Sequence, residues 1–413
     1  MSAPILAVDF GTSNSAAAIV VDGQVCRLPI EAGDETLPTA VFFPAGRGEM
    51  QIGRDAGRSL IDGDEGRYMR ALKSILGTPL LHQSRMIEGK RRTLAEVVTA
   101  FLMAVKTQAE AQSGLTFDRV LSGRPVRFHS KNDEQNQQAE EDLRGCYLAA
   151  GFKGVSFLYE PEAAARACRG MSETGLGLIV DIGGGTSDFS IFRQSDDGVE
   201  ILASHGIRLG GTDFDQRISM AHVMPLLGQG GQVKRTFGDG LLPVPAAIYQ
   251  DLATWPKIPF LYARETERLV EDLLVHAIEP AKIRRLKTVI KDQLGHEMAF
   301  AVEGGKIAAN SVGVRSEIDL GFVEWALIAP ITTGSMNSAL AEFRGQLSGA
   351  IYETLMRAGV GPAQIDNAIL VGGSSLMKIV SDELQHVCPA AKVHQSEAFT
   401  AVVDGLALAT VEA

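Results

Sequence analysis

Two segments of this chain, about 170 residues apart, are built to one plan. The first runs Leu6-Ala7-Val8-Asp9-Phe10-Gly11-Thr12-Ser13-Asn14-Ser15. The second runs Leu178-Ile179-Val180-Asp181-Ile182-Gly183-Gly184-Gly185-Thr186-Ser187-Asp188. Each is a hydrophobic run closed by an Asp, then a Gly-bearing turn with Thr-Ser, then a second β-rich run. The pattern predicts strands joined by tight turns, and its repetition fits an internal duplication. A third buried run, Ala368-Ile369-Leu370-Val371, also enters a glycine pair, Gly372-Gly373.

Composition removes competing classes. At about 150 residues per domain, 413 residues suggests two or three domains, each able to form its own core. With 39 basic against 50 acidic residues the net charge is −11, which argues against nucleic acid or anionic lipid as a partner. No apolar run reaches the roughly eighteen residues of a membrane span. Met1-Ser2-Ala3-Pro4 leads directly into a strand, unlike a secretory signal. Cys26, Cys146, Cys168 and Cys388 are widely spaced, which fits reduced thiols and a cytoplasmic address.

Along the chain, Asp22-Gly23 predicts a hairpin before Gln24–Leu28. From Thr93 the pattern is helical. Thr93 and Glu96 form a capping box, Leu94, Val97, Val98, Phe101, Leu102 and Val105 share one face, and Gly114 ends the helix. Asp118–Leu121 reads as a strand entering Gly123-Arg124-Pro125, followed by a polar helix from Lys131 to Ala150. Pro225–Pro259 is rich in Gly and Pro and aperiodic, which predicts an irregular insertion. Helical patterning returns at Arg264–Ile278, and Phe399–Val411 reads as a closing apolar helix.

Several catalytic signatures are missing. Gly305-Lys306 is followed by Ile307, so there is no P-loop; Gly372-Gly373-Ser374-Ser375-Leu376 lacks the last glycine of a nucleophile elbow; His296-Glu297 has no second His. What remains are the two Asp-bearing turns. Backbone N–H groups freed by glycine can cradle phosphate oxygens, and Thr12 or Thr186 can bond a terminal phosphate. Asp9 and Asp181 can hold Mg²⁺ through its water shell. On residues alone, a pair of plain hairpins with Asp as turn former stays open.

As an ordered set, these segments resemble the actin–hexokinase–DnaK ATPase superfamily. With Glu160-Pro161-Glu162-Ala163-Ala164-Ala165 and Leu209-Gly210-Gly211-Thr212-Asp213-Phe214-Asp215, the chain resembles the DnaK-type seventy-kilodalton heat-shock chaperones. The likeness runs from residue 5 onward and is weakest between about 220 and 295. It implies ATP/ADP and Mg²⁺ as ligands. Lys73 matches the family's catalytic lysine, with Glu160, Asp188 and Thr186 around the metal, the water and the γ-phosphate. Gly11, Thr12, Ser13 and Asn14, with Gly183, Gly184 and Gly185, match the phosphate loops. Gly210 and Gly211, then Glu303, Lys306 and Asn310, then Gly372, Gly373 and Ser374, match the rest of the nucleotide site. Asp9 and Asp181 match the Mg²⁺-shell aspartates. Each residue also has a plainer reading: Lys73 as a surface lysine, Glu160 as a helix-start acid, Glu303 and Lys306 as a surface ion pair.

The resemblance implies an α/β, two-lobe actin-like ATPase fold made of duplicated ribonuclease-H-like domains. Lobe I is taken as 1–172 plus 394–413 and lobe II as 173–393, with an atypical insertion about 225–295. Ile307 and Leu376 stand where the family carries adenine-sandwiching arginines, which implies weaker, less base-selective adenosine binding. Pro125 matches the family's relay proline, with Gln137 in place of its arginine partner. No apolar linker, β-sandwich or lid follows, so the chain is similar to a short, YegD-like member and the peptide-binding activity is not carried over. The expected function is slow ATP hydrolysis driving a conformational switch read by an unidentified protein partner or client, in a monomer. Alternatives are a sugar or small-molecule kinase of the same superfamily, an actin-like filament protein or a nucleotide sensor that does not hydrolyse.

Overall fold

Strand β1 (Ile5–Phe10) alternates large and small side chains, and the two sets enter different cores. Leu6, Val8 and Phe10 pack on one side, while Ala7 faces the other. The computed structural model describes residues 4–31, 33–46, 48–87, 90–128, 132–167, 175–195, 198–235, 238–311, 316–395 and 400–411. By packing, the chain divides into two compact units, Met1–Leu209 with Leu347–Ala413, and Gly210–Gln346. These units do not follow the lobe boundaries at 172/173 and 393/394.

The first unit contains two sheets of matching topology. In one, β1 pairs antiparallel with β2 (Asn14–Val21), and β2 with β3 (Gln24–Leu28). β4 (Arg119–Arg124) runs parallel to β1, and β5 (Gly154–Tyr159) parallel to β4, giving the order β3-β2-β1-β4-β5. In the other, β6 (Gly175–Ile182), β7 (Ser187–Ser195), β8 (Gly198–Ile207), β9 (Asn367–Val371) and β10 (Lys392–His394) take the order β8-β7-β6-β9-β10 with the same sense at every pair. The duplication seen in the two Asp-Gly segments is thus a duplication of whole sheets. Asp22 (φ 52°) and Gly23 (φ 77°) form the two-residue turn between β2 and β3.

Helix α1 (Leu94–Ser113) starts at the predicted capping box. Thr93 Oγ1 accepts from Glu96 N at 3.2 Å, and Glu96 Oε2 accepts from Thr93 N at 2.6 Å. It ends at Gly114 (φ 69°), and Phe101 meets Phe10 of β1 at 5.8 Å between ring centroids. Helix α2 (Asp133–Ala149) is capped by Asn132; Lys131 lies outside the described residues. Helices α3 (Glu160–Ala167) and α4 (Ala401–Ala409) share a core with Ala7, Ala16 and Ala18 of one sheet and with Ile179, Phe192, Ile369 and Val371 of the other. The predicted start of α4, Phe399, lies outside the described residues.

Small residues let these helices approach closely. A Cβ on Gly405 would stand 1.7 Å from the carbonyl oxygen of Ala163, so α4 crosses α3 backbone to backbone at that point.

In the second unit, the helices Arg264–His276, Pro280–Lys291 and Gly295–Asn310 follow the predicted return of helical patterning. The 225–259 stretch is less irregular than its composition suggests. It forms a hairpin (Gln232–Lys234 with Leu241–Pro243) and a short helix, Ala247–Leu252. Each element carries only one to three buried apolar residues, such as Val233, Ile248 and Tyr249, too few to produce a readable period. No described helix is long and apolar enough to cross a membrane.

Gly405→Val should therefore be costly, because the clashing partner is backbone and cannot swing away. A loss of about 1–3 kcal/mol is expected, read as a fall of several degrees in Tm by circular dichroism. An unchanged Tm would show that the two helices can separate at no cost.

Candidate active site

The matched hairpins place their acids in matched positions. Asp9 is the penultimate residue of β1, and Asp181 the penultimate residue of β6. Asp188, second in β7, stands directly across from Asp181. The turns that follow are tight. A Cβ on Gly11 would lie 2.1 Å from the carbonyl oxygen of Asn14, and Gly183 N donates to Thr186 O at 3.0 Å. The two turns also meet, since a Cβ on Gly184 would lie 2.5 Å from Ser13 Oγ. Gly372 follows β9 with φ 79°, and a Cβ there would stand 2.6 Å from Ile182 O and 3.0 Å from Asp181 Oδ1. Glycine is required at this position both by the backbone and by the lack of space.

Lys73 reaches this cluster from a one-turn 3-10 helix, Leu72–Ile75, which Ala71 enters in the left-handed region (φ 57°). A non-glycine residue there costs about 1–2 kcal/mol. Buried Leu72 and Leu76 anchor the turn in the core. Lys73 Nζ donates to Glu160 Oε1 at 2.5 Å, and both side chains are buried. Glu160 is the first residue of α3, where the exposed N–H groups of the helix favour a carboxylate. The solvated-lysine reading gives way to a buried ion pair, while Glu160 is also the helix-start acid that its place before Pro161 suggests.

Four carboxylates thus surround one ammonium. Burial pushes Asp9 and Asp188 up to about 7; the charge of Glu160 adds to this and that of Lys73 opposes it. Asp181 is raised well above the ordinary range, by burial first and then by Glu160, Asp188 and Asp9. For Lys73 burial acts downward, but Glu160, Asp9 and Asp181 together hold it above its usual value. The cluster therefore has a deficit of positive charge that a hard cation would fill. Among the described residues no three His, Cys, Asp or Glu groups converge into a direct metal cage. A small pocket lined by Pro125, Val126, Glu160, Pro161, Asp181 and Asp188 opens beside the ion pair.

The remaining predicted residues are distributed as follows. Gly11, Thr12 and Ser13 are half-buried in the first turn; Asn14, Gly185 and Thr186 are exposed. Gly373 and Ser374 follow Gly372 in a 3-10 turn. In the second unit, Gly210 and Gly211 start the helix Gly211–Ile218, where Asp213 Oδ2 accepts from Gly210 N at 2.8 Å. Glu303, Lys306 and Asn310 lie on the helix Gly295–Asn310. Lys306 is buried and pairs with Asp215 Oδ1 at 2.8 Å, so its partner is Asp215 rather than Glu303. Asp215 closes the Leu209–Asp215 motif, and nothing in that motif marks it as the partner of a lysine 91 residues on. Gln137 donates to Glu141 on its own helix, whereas Arg124 Nε donates to Pro125 O at 3.1 Å. An arginine does sit on the Pro125 carbonyl, supplied by the preceding residue.

A model of the family described as Hsp70 protein matches residues 5–230, more than half of the chain. The chain belongs to the Hsp70 family. Its fold class is the predicted one, α/β and actin-like with duplicated sheets, and it is an Hsp70-like nucleotide-binding ATPase. The match takes in Asp9, Lys73, Glu160, Asp181 and Asp188, and ends where the predicted resemblance weakens.

The crowded carboxylates also set a pH dependence. An acid whose pKa is raised on folding holds its proton more tightly in the folded state. Without ligand, stability should therefore be highest with the cluster protonated and fall as pH rises from about 4 toward 7. Asp188→Asn should raise the ligand-free Tm at pH 7.5 by a few degrees, with the gain shrinking toward pH 5. A Tm that drops at pH 7.5, or a gain independent of pH, would contradict the charge crowding.

Proposed function

We propose that this Hsp70-family chain is a slow, Mg²⁺-dependent ATPase whose nucleotide state acts as a conformational switch. The buried Lys73–Glu160 pair, set among Asp9, Asp181 and Asp188, carries this reading. The backbone N–H groups of the Gly11–Ser13 and Gly183–Thr186 turns bind the phosphates, and the hydroxyls of Thr12 and Thr186 bond the terminal group. Lys73 orients the attacking water beside the γ-phosphate, and Glu160 holds the ammonium in place. Asp9 and Asp181 would hold Mg²⁺ through water, and the cation would supply neutralisation of charge on the phosphate oxygens. Asp188, across from Asp181, would assist in holding it.

Gly372, Gly373 and Ser374 form the nucleoside side of the site in the first unit, and the family's ribose contacts match Glu303, Lys306 and Asn310 of the second unit. Ile307 is exposed on its helix where the family has an arginine, so the base is held by apolar contact rather than a guanidinium plane. Closure upon the γ-phosphate is the signal, read by a protein partner in the cytoplasm. Chaperone activity, if it accompanies the switch, acts through that partner.

Single-turnover hydrolysis of Mg·ATP by the purified chain tests this reading. Lys73→Ala and Thr186→Ala should each slow turnover by about 100-fold or more while ADP still raises Tm. GTP should compete with ATP within about tenfold, given the missing arginines. Turnover unchanged in both variants would overturn the assignment. Substrate-dependent ADP release, absent without an added hydroxyl compound, would favour a kinase instead.

A further inference from the structure

Lys73 lies in a short segment whose local bonds determine its shape but not its place. Ser74 N donates to Ala71 O, Leu76 N to Lys73 O and Thr78 N to Ile75 O, all within the segment. Buried Leu72 and Leu76 seat it in the core, and α2 adds a polar tie just after it. Asp142 Oδ2 accepts from Gly77 N at 2.9 Å, and Asp142 Oδ1 accepts from His82 Nε2 at 2.9 Å. The two oxygens of one carboxylate thus pin both ends of the stretch from Gly77 to His82. Gln138, one turn earlier on α2, also donates to Asp142 Oδ1 at 2.9 Å.

The contact at Gly77 is close. With φ 72°, a Cβ there would lie 2.4 Å from Gln135 O and 2.9 Å from Ala139 Cβ, so the backbone rests directly on α2. The Asp142 side chain is 3 % exposed, and among the described residues its donors are two neutral N–H groups and a His, with no Lys or Arg. A buried carboxylate in such surroundings is expensive unless every oxygen is bonded.

We propose that Asp142 is a positioning residue for hydrolysis: it fixes the Lys73 turn on α2, so that Lys73 Nζ meets Glu160 and the reacting phosphate together. This rests on the assignment of Lys73 given above. A displacement of about 1 Å at a reacting group costs up to roughly 100-fold in rate, while nucleotide binding, made mostly by the Gly turns, is spared.

The test is a double-mutant cycle in single-turnover hydrolysis, with ADP affinity measured alongside. Asp142→Ala should lose about 10- to 100-fold in rate with ADP affinity within threefold of wild type. Asp142→Asn, whose amide oxygen can still accept from Gly77 N, should recover to within about threefold. In a Lys73→Ala background, Asp142→Ala should cause no further loss. Should Asp142→Ala fail to fold, Asp142→Glu keeps the charge but moves the acceptor, and should show the same rate-only loss. An unchanged rate in Asp142→Ala, equal losses of rate and affinity, or full additivity with Lys73→Ala would overturn the proposal. If Lys73→Ala itself leaves turnover intact, the Lys73 assignment falls and the positioning role falls with it. If Lys73→Ala is inactive and Asp142→Ala is not, the positioning role alone falls.

Discussion

The 2.5 Å ion pair between Lys73 and Glu160 is the interaction on which the site depends. A buried lysine among four carboxylates is not a stabilising device in itself, because desolvation offsets much of the attraction. Its surroundings make sense as a place where charge arrives from outside. Asp9, Asp181 and Asp188 all hold protons more tightly than free aspartates, a condition that a cation beside them would reverse. The crowding lowers folding stability at a site suited to a charged ligand, a common arrangement in enzymes.

The scaffold that makes the crowding possible is the repeated sheet. Because both sheets run in the same order, Asp9 and Asp181 stand next to last in the first strand of each, and the turns after them meet at Ser13 and Gly184. The helix pair α3–α4 joins the sheets through alanines and a glycine, and α3 begins with Glu160. Backbone contact at Gly405 and Ala163 therefore bears on the same helix that carries the partner of Lys73. Site and core are mechanically continuous in the first unit.

Much of this was legible in the sequence because its signals are local. The strand–Asp–Gly turns, the Thr93–Glu96 box and the Asp22-Gly23 hairpin each lie within a few residues, and each formed as read. What was not legible depends on partners far along the chain. The pairing of Lys306 with Asp215 and the tie from Asp142 to Gly77 have no periodic or motif signature. The 225–259 stretch misled for another reason, since short elements with few buried residues cannot show a period.

Carbon-13 NMR titration of the aspartate carboxyls, with and without Mg·ADP, tests the central claim most directly. The account predicts that without ligand two or more carboxyls titrate near pH 7, and that Mg·ADP moves them back toward or below the usual range near 4. Carboxyls that all titrate near 4 in both states would contradict it.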